Sequence, residues 1–232
     1  MSKLVEVVEP PKGKVWFCGD IHGCLDLLLG VLNAKGFNFE EDLLICTGDL
    51  VDRGDKNLGV IQLLSERWFM SVRGNHEDLA IQGLHNEAYA RCHKQNGGDW
   101  FYQLDGQTMY TIAKVFAGLP LMIEINVHGK KFVVAHADYP YNEYHEGIHE
   151  ILPTEKICDR EIQDIIMWDR VTIQSLSEVE PISGVDLMIH GHSVTRGRKI
   201  LKGNQLFIDY GGCFGYGMCV VSAEELIETY LK

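Results

Sequence analysis

Short apolar runs that stop abruptly at glycine set the pattern of the first third of this chain. Val15-Trp16-Phe17-Cys18, Leu43-Leu44-Ile45-Cys46 and Trp68-Phe69-Met70-Ser71-Val72 end at Gly19, Gly48 and Gly74. They read as buried strands. Between them Leu25, Leu28, Leu29 and Leu32 recur at helical spacing until Gly36 supplies the stop. A second helix is predicted from Asn57 to Ser65, and a third from His76 toward Gly83. Strand followed by helix, three times over, argues for parallel strands joined by right-handed crossovers.

The stretch from Leu84 to Leu119 is less regular. Asn96-Gly97-Gly98 is a turn signal ahead of Trp100, Phe101 and Tyr102. Residues Thr108 to Phe116 fit a helix broken by Leu119-Pro120. Leu121 to Val127 and Lys131 to Ala135 read as strands around a His128-Gly129 turn. Val185 to Ile189, Gln205 to Ile208 and Met218 to Val221 are further strands. The second half is thus richer in strand and antiparallel in part. No repeat, low-complexity tract or linker interrupts the chain, so residues 1–232 read as a single domain of the α/β class.

Composition narrows the function. The 232 residues are 46% hydrophobic, enough for a sizeable core. The net charge of −12 disfavours a broad nucleic-acid footprint, which needs a basic stripe. It leaves room for an anionic substrate in a cleft lined by arginine and metal. The apolar stretches fall far short of the roughly 18 residues of a membrane span. Met1 to Lys14 carries no apolar signal region. The seven cysteines are scattered without a CxxC pair, as expected of reduced, mostly buried thiols in a cytoplasmic protein rather than of a zinc cage.

The chemistry lies just after the apolar runs. Gly19-Asp20-Ile21-His22-Gly23 offers a carboxylate and an imidazole to one divalent ion. In Gly48-Asp49-Leu50-Val51-Asp52-Arg53-Gly54, Asp49 can bridge two metals, Asp52 can orient a histidine, and Arg53 can grip a phosphate. Gly74-Asn75-His76-Glu77 adds a neutral oxygen ligand and another histidine. Alone, each block is an ordinary turn, ion pair or helix start. Asp20, Asn75 and the intervening Asp49 are 29 and 26 residues apart, about one crossover each. That spacing gathers them outside the carboxyl ends of parallel strands, where open sheets collect ligands. His136 and His192 end later apolar runs and suit metal ligation too. His190 reads as a strand residue. His85, His93, His128, His145 and His149 read mostly as solvated.

These blocks resemble the signature of the phosphoprotein phosphatase branch of the calcineurin-like metallophosphoesterases. Val72-Arg73-Gly74-Asn75-His76-Glu77, Asn96-Gly97-Gly98, His136-Ala137-Asp138-Tyr139-Pro140, Trp168-Asp169-Arg170, Gly191-His192-Ser193 and Ile208-Asp209 are similar to the lambda-like group of that branch. The resemblance implies a two-sheet β-sandwich flanked by helices, with a dinuclear metal cleft at the strand ends. It implies that Asp20 and His22 hold one metal, that Asn75, His136 and His192 hold the other, and that Asp49 bridges them. Manganese is the ion implied, and iron or zinc also suit the donors. His76 would be the general acid, Asp52 its orienting partner, and Arg53, Arg170 and Arg73 the phosphate-binding groups. The reaction implied is hydrolysis of phosphoserine and phosphothreonine, and also of phosphotyrosine, by direct attack of a hydroxide held between the metals. Phosphoproteins or phosphopeptides are the partners implied, with no obligate regulatory subunit. A dinucleoside polyphosphate hydrolase or a broad-specificity phosphoesterase is the alternative. Asp169 departs from the asparagine of the lambda-like pattern and is expected to weaken the hold of Arg170 on phosphate. Ser193 stands where relatives often carry threonine.

Overall fold

The structure is a computed structural model that describes residues 4–144 and 160–231. Its strands are Val5–Val8 (β1), Val15–Cys18 (β2), Leu43–Cys46 (β3), Phe69–Ser71 (β4), Met122–Val127 (β5) and Lys130–Ala135 (β6). Leu187–His190 (β7), Ile200–Lys202 (β8), Gln205–Phe207 (β9) and Val220–Ser222 (β10) follow. The helices are Leu25–Lys35 (α1), Asn57–Leu63 (α2), Asn75–Gly83 (α3), Glu87–Gln95 (α4) and Gly106–Gly118 (α5). Arg160–Trp168 (α6), Val171–Gln174 (α7) and Ala223–Tyr230 (α8) complete them.

Two sheets face each other, as the resemblance implied. One has the order β10-β2-β3-β4, the other β1-β5-β6-β7-β9-β8. The strands β2, β3 and β4 are parallel, as the crossover pattern predicts, and β10 joins β2 antiparallel. In the larger sheet β5 and β6 form an antiparallel hairpin, while β6, β7 and β9 run parallel. The hairpin turn is His128-Gly129, both at positive φ, which matches the twist of the flanking strands.

The apolar runs are continuous because both faces of each sheet are covered. Val15, Phe17, Leu43 and Ile45 point toward Ile123, Ile125, Phe132 and Val134 of the opposite sheet. The Phe17 and Phe132 rings lie 5.4 Å apart across that interface. The alternate residues Trp16, Cys18, Leu44 and Cys46 pack against Leu28 and Leu32 of α1 and Val60 of α2. On the far side Met122, Val133 and Met188 meet Ile166 and Met167 of α6. The layers are therefore helices, small sheet, large sheet, helix. Cys18, Cys46 and Cys219 are buried free thiols, and Cys24, Cys92 and Cys213 are half-buried ones; Cys158 lies outside the described residues.

Candidate active site

The loops that leave β2, β3 and β7 are held in an unusual backbone conformation. His22, Asp49, Asp52, Arg53 and His192 all have positive φ, between 46° and 73°. Such backbone is costly for residues with a Cβ and persists where the surroundings enforce it, often at functional sites. Close approach explains two glycines. A Cβ on Gly74 would lie 2.2 Å from Asp49 Oδ1, and one on Gly191 would lie 1.9 Å from Asp20 Oδ1.

Asp49 sits at the centre. His22, Asp49 and His76 form one group of possible ligand atoms, and Asp49, His136 and His192 form a second, each within 4.8 Å. His136 Nε2 and His192 Nδ1 both face Asn75 Oδ1, at 2.9 and 3.0 Å. The outward ring nitrogens settle the tautomers of His22 and His192, and His136 donates outward in the same way. His22 Nδ1 donates to the Val51 carbonyl at 2.8 Å, His136 Nδ1 to Thr47 at 2.7 Å, and His192 Nε2 to Trp168 at 3.0 Å. Each imidazole thus turns its other nitrogen inward, as metal-ligating histidines do. Burial lowers His22 to about 3 and His192 to about 2, so both stay neutral. Burial also pulls His136 down, but Asp49 and Asp20 outweigh it and raise it to about 10.

Asp20 stands beside these groups. Its Oδ1 accepts from Thr47 Oγ1 at 2.8 Å and its Oδ2 from the His192 amide at 2.9 Å. Burial, Asp209 and Asp49 push its carboxyl well up. Burial raises Asp209 to about 6, and the charge of Asp49 adds to the rise. Carboxylates bunched at the cost of their own ionisation, facing inward imidazole nitrogens and an amide oxygen, are what bound divalent cations relieve. The residues fit a two-cation centre.

Beside it lies a buried histidine–aspartate pair. His76 Nδ1 is 2.6 Å from Asp52 Oδ2, and the two side chains are 1% and 0% exposed. His93, expected to be solvated, is instead fully buried, with Nε2 2.9 Å from the same Asp52 oxygen. Trp100 Nε1 donates to Asp52 Oδ1 at 2.7 Å. Burial opposes ionisation of Asp52, but its bonds to His76 and His93 outweigh it and lower it to about 2. Glu77 carries the loop above: its carboxylate accepts from the amides of Asp49, Leu50 and Gly74.

The predicted arginines divide. Arg53 Nη2 lies 3.0 Å from His76 Nε2, and Nη1 reaches His22 Nε2. Arg170 is exposed and its Nη2 donates to the His192 carbonyl at 3.4 Å. Arg73 does not join them. It is buried, and its Nη2 donates to the Ala117 and Leu119 carbonyls at the end of α5, at 3.1 and 3.3 Å. Asp169, next to Arg170, accepts through Oδ1 from the amides of Arg170 and Val171 at the start of α7. It thereby serves the backbone of that helix. His190 is a strand residue stacked on Phe207, with Nε2 3.1 Å from Gln205 Oε1. His145 and His149 lie outside the described residues.

Residues 13–196 match the family model of the calcineurin-like phosphoesterases. The chain belongs to that family. This calcineurin-like phosphoesterase is 37% identical over 207 residues to serine/threonine-protein phosphatase 2 of Salmonella typhimurium, covering 87% of this chain and 89% of that one. It is 28% identical over 159 residues to the symmetrical bis(5'-nucleosyl)-tetraphosphatase of Aliivibrio fischeri, covering 67% of this chain and 53% of that one. The fold also matches a protein serine/threonine phosphatase structure from Saccharomyces cerevisiae, with a TM-score of 0.64 and 16% identity, covering 90% of this chain and 71% of that one.

Proposed function

We propose that this calcineurin-like phosphoesterase is a metal-dependent phosphoprotein phosphatase that hydrolyses phosphoserine and phosphothreonine, with activity on phosphotyrosine as well. The observation that carries the reading is the His76–Asp52 pair, set beside the shared Asp49 and capped by Arg53. Higher identity and fuller coverage favour the protein phosphatases over the dinucleotide hydrolases.

Asp20 and His22 would hold one cation, Asn75, His136 and His192 the other, and Asp49 both. Oxygen and nitrogen donors without sulfur suit manganese, and also iron or zinc. Such cations supply charge neutralisation at the phosphoryl oxygens and a water acidic enough to ionise near neutral pH. The chain's own groups do the rest. Asp52 fixes the Nδ1 proton of His76, so Nε2 faces the cleft and donates a proton to the departing alkoxide. A general acid of this kind contributes about 10²- to 10⁴-fold. Arg53 and Arg170 grip the phosphoryl oxygens and stabilise their charge in the transition state. An entering phosphate takes over the Arg53 donors now spent on the two imidazoles. Arg73 instead anchors the end of α5.

Ligands drawn from Asp20 to His192 support one catalytic domain over residues 1–232. Every proposed ligand and proton donor lies on one chain, so the reading invokes no obligate regulatory subunit. Unpaired Cys24, Cys92 and Cys213 fit a reducing, cytoplasmic setting. Among the described residues no helix is long and apolar enough to cross a membrane. The test is turnover, with added manganese, of a phosphoserine peptide against diadenosine tetraphosphate. Faster turnover of the peptide is expected; turnover of the dinucleotide alone would replace this reading with its alternative.

A further inference from the structure

An exposed aromatic group at the edge of the cleft is left unused by this chemistry. Phe214, Tyr216 and Val194 are 55%, 47% and 38% exposed. They converge on Gly211, where an added Cβ would lie 2.6 Å from Val194 Cγ1, 3.2 Å from Tyr216 Cδ2 and 3.5 Å from Phe214 Cδ2. The backbone here is shaped by Gly211, Gly215 and Gly217, all at positive φ near 83°. The Gly211 amide is tied to Asp209 Oδ1 at 2.8 Å. The turn therefore presents two large rings to solvent from an anchored base, and solvent-facing apolar groups of this kind mark binding surfaces.

Its place relative to the proton donor gives it a use. The Arg53 guanidinium carbon lies 5.4 Å from the centre of the Phe214 ring, and Arg53 Nη2 lies 3.0 Å from His76 Nε2. His76, Arg53 and Phe214 are thus joined by two successive contacts. The ester oxygen that takes the His76 proton carries the rest of the leaving group on its side away from phosphorus, so that group lies near His76 and its neighbour Arg53. A serine leaving group carries a single methylene between its ester oxygen and the peptide backbone. A tyrosine leaving group puts a whole ring there, and aromatic rings pair at centroid separations of about 4.5–7 Å.

We propose that Phe214 and Tyr216 form a platform for an aromatic leaving group and set the ratio of phosphotyrosine to phosphoserine turnover. The proposal rests on the phosphatase reading above. In the step itself the phosphorus–oxygen ester bond breaks and the oxygen of water joins phosphorus. The phenolic oxygen takes the proton of His76, and a proton of the attacking water replaces it. Phe214 and Tyr216 are specificity residues that touch the ring and exchange no proton.

The experiment uses the full chain with manganese and two peptides that differ only in phosphotyrosine or phosphoserine. In Tyr216→Leu and in Phe214→Leu the ratio of kcat/KM for the two peptides falls about 3- to 10-fold, mainly through KM of the phosphotyrosine peptide. Tyr216→Phe and Phe214→Trp keep the wild-type ratio. An unchanged ratio, including one in which both rates fall together, overturns the platform, because a ring that only supports Arg53 moves both substrates equally. A larger loss toward diadenosine tetraphosphate than toward the phosphotyrosine peptide also overturns it, by assigning the rings to a nucleobase. A wild-type chain inert toward both peptides but active on phenyl phosphate would instead overturn the phosphatase reading. The platform is then judged by the ratio of phenyl phosphate to an alkyl phosphate, where the same fall supports it and no fall overturns it.

Discussion

His93 Nε2 lies 2.9 Å from Asp52 Oδ2, the oxygen that also holds His76 Nδ1 at 2.6 Å. One carboxylate oxygen thus accepts from two buried imidazoles, while Trp100 occupies the other oxygen. His93 touches neither a proposed ligand nor the place of the phosphate. Under the proposed role of His76, it acts through Asp52, as a positioning residue. In His93→Leu, kcat should fall about tenfold with KM little changed, since positioning losses act on the transition state. Single-turnover kinetics with a phosphoserine peptide check this. A change confined to melting temperature would reduce His93 to packing.

The same carboxylate predicts a pH dependence of stability. Asp52 is lowered in the folded protein to about 2 from its ordinary value of 3.8. Its contribution is therefore present above pH 4 and is lost as pH falls from there toward 2. The shift corresponds to about 2 kcal/mol. Urea melts of the wild type and Asp52→Asn should differ most above pH 4 and converge near pH 2.

Gly191 tests how tightly the site is built. A Cβ there would lie 1.9 Å from Asp20 Oδ1 and 2.3 Å from Thr47 Oγ1. Gly191→Ala must displace Asp20, so manganese titration should lose one of two binding events. Asp49→Asn, which alters the residue common to both groups, should weaken both.

Arg73 separates structure from catalysis. Its loss leaves the Ala117 and Leu119 carbonyls without their donor, at a cost of about 1–3 kcal/mol. Arg73→Met should lower the melting temperature while KM changes less than in Arg53→Met.

The three parallel strands and the blocks that follow them were legible because each strand is buried on both faces and each block starts where its strand ends. Other parts were hidden for physical reasons. Helix α4 (Glu-Ala-Tyr-Ala-Arg-Cys-His-Lys-Gln) has no broad apolar stripe, and only its Asn86 cap, which accepts from the Ala88 amide at 2.9 Å, marks its start. His93 reads as solvated because its partner Asp52 is 41 residues away. Asp52, Asn96 and Trp100 gave a faint signal in their motifs, but not the contact. Strand β1 sits in a charged N-terminal stretch and is defined only by pairing with β5 at Met122 to Ile125. Arg73 adjoins the ligand block in sequence, yet its long side chain reaches the end of α5. The aromatic rim at Phe214 and Tyr216 shows no periodicity, and only the turn brings it beside Arg53.

The proposed role of His76, held by Asp52, is to protonate the leaving group beside a two-cation centre. The most direct measurement compares His76→Asn with wild type on a phosphoserine peptide and on p-nitrophenyl phosphate, after metal analysis has established equal manganese content. A loss of about 10²-fold or more is expected on the peptide, and a markedly smaller loss on p-nitrophenyl phosphate, whose leaving group needs little proton donation. Equal losses on both substrates, or near-normal turnover of the peptide at full manganese content, would contradict it.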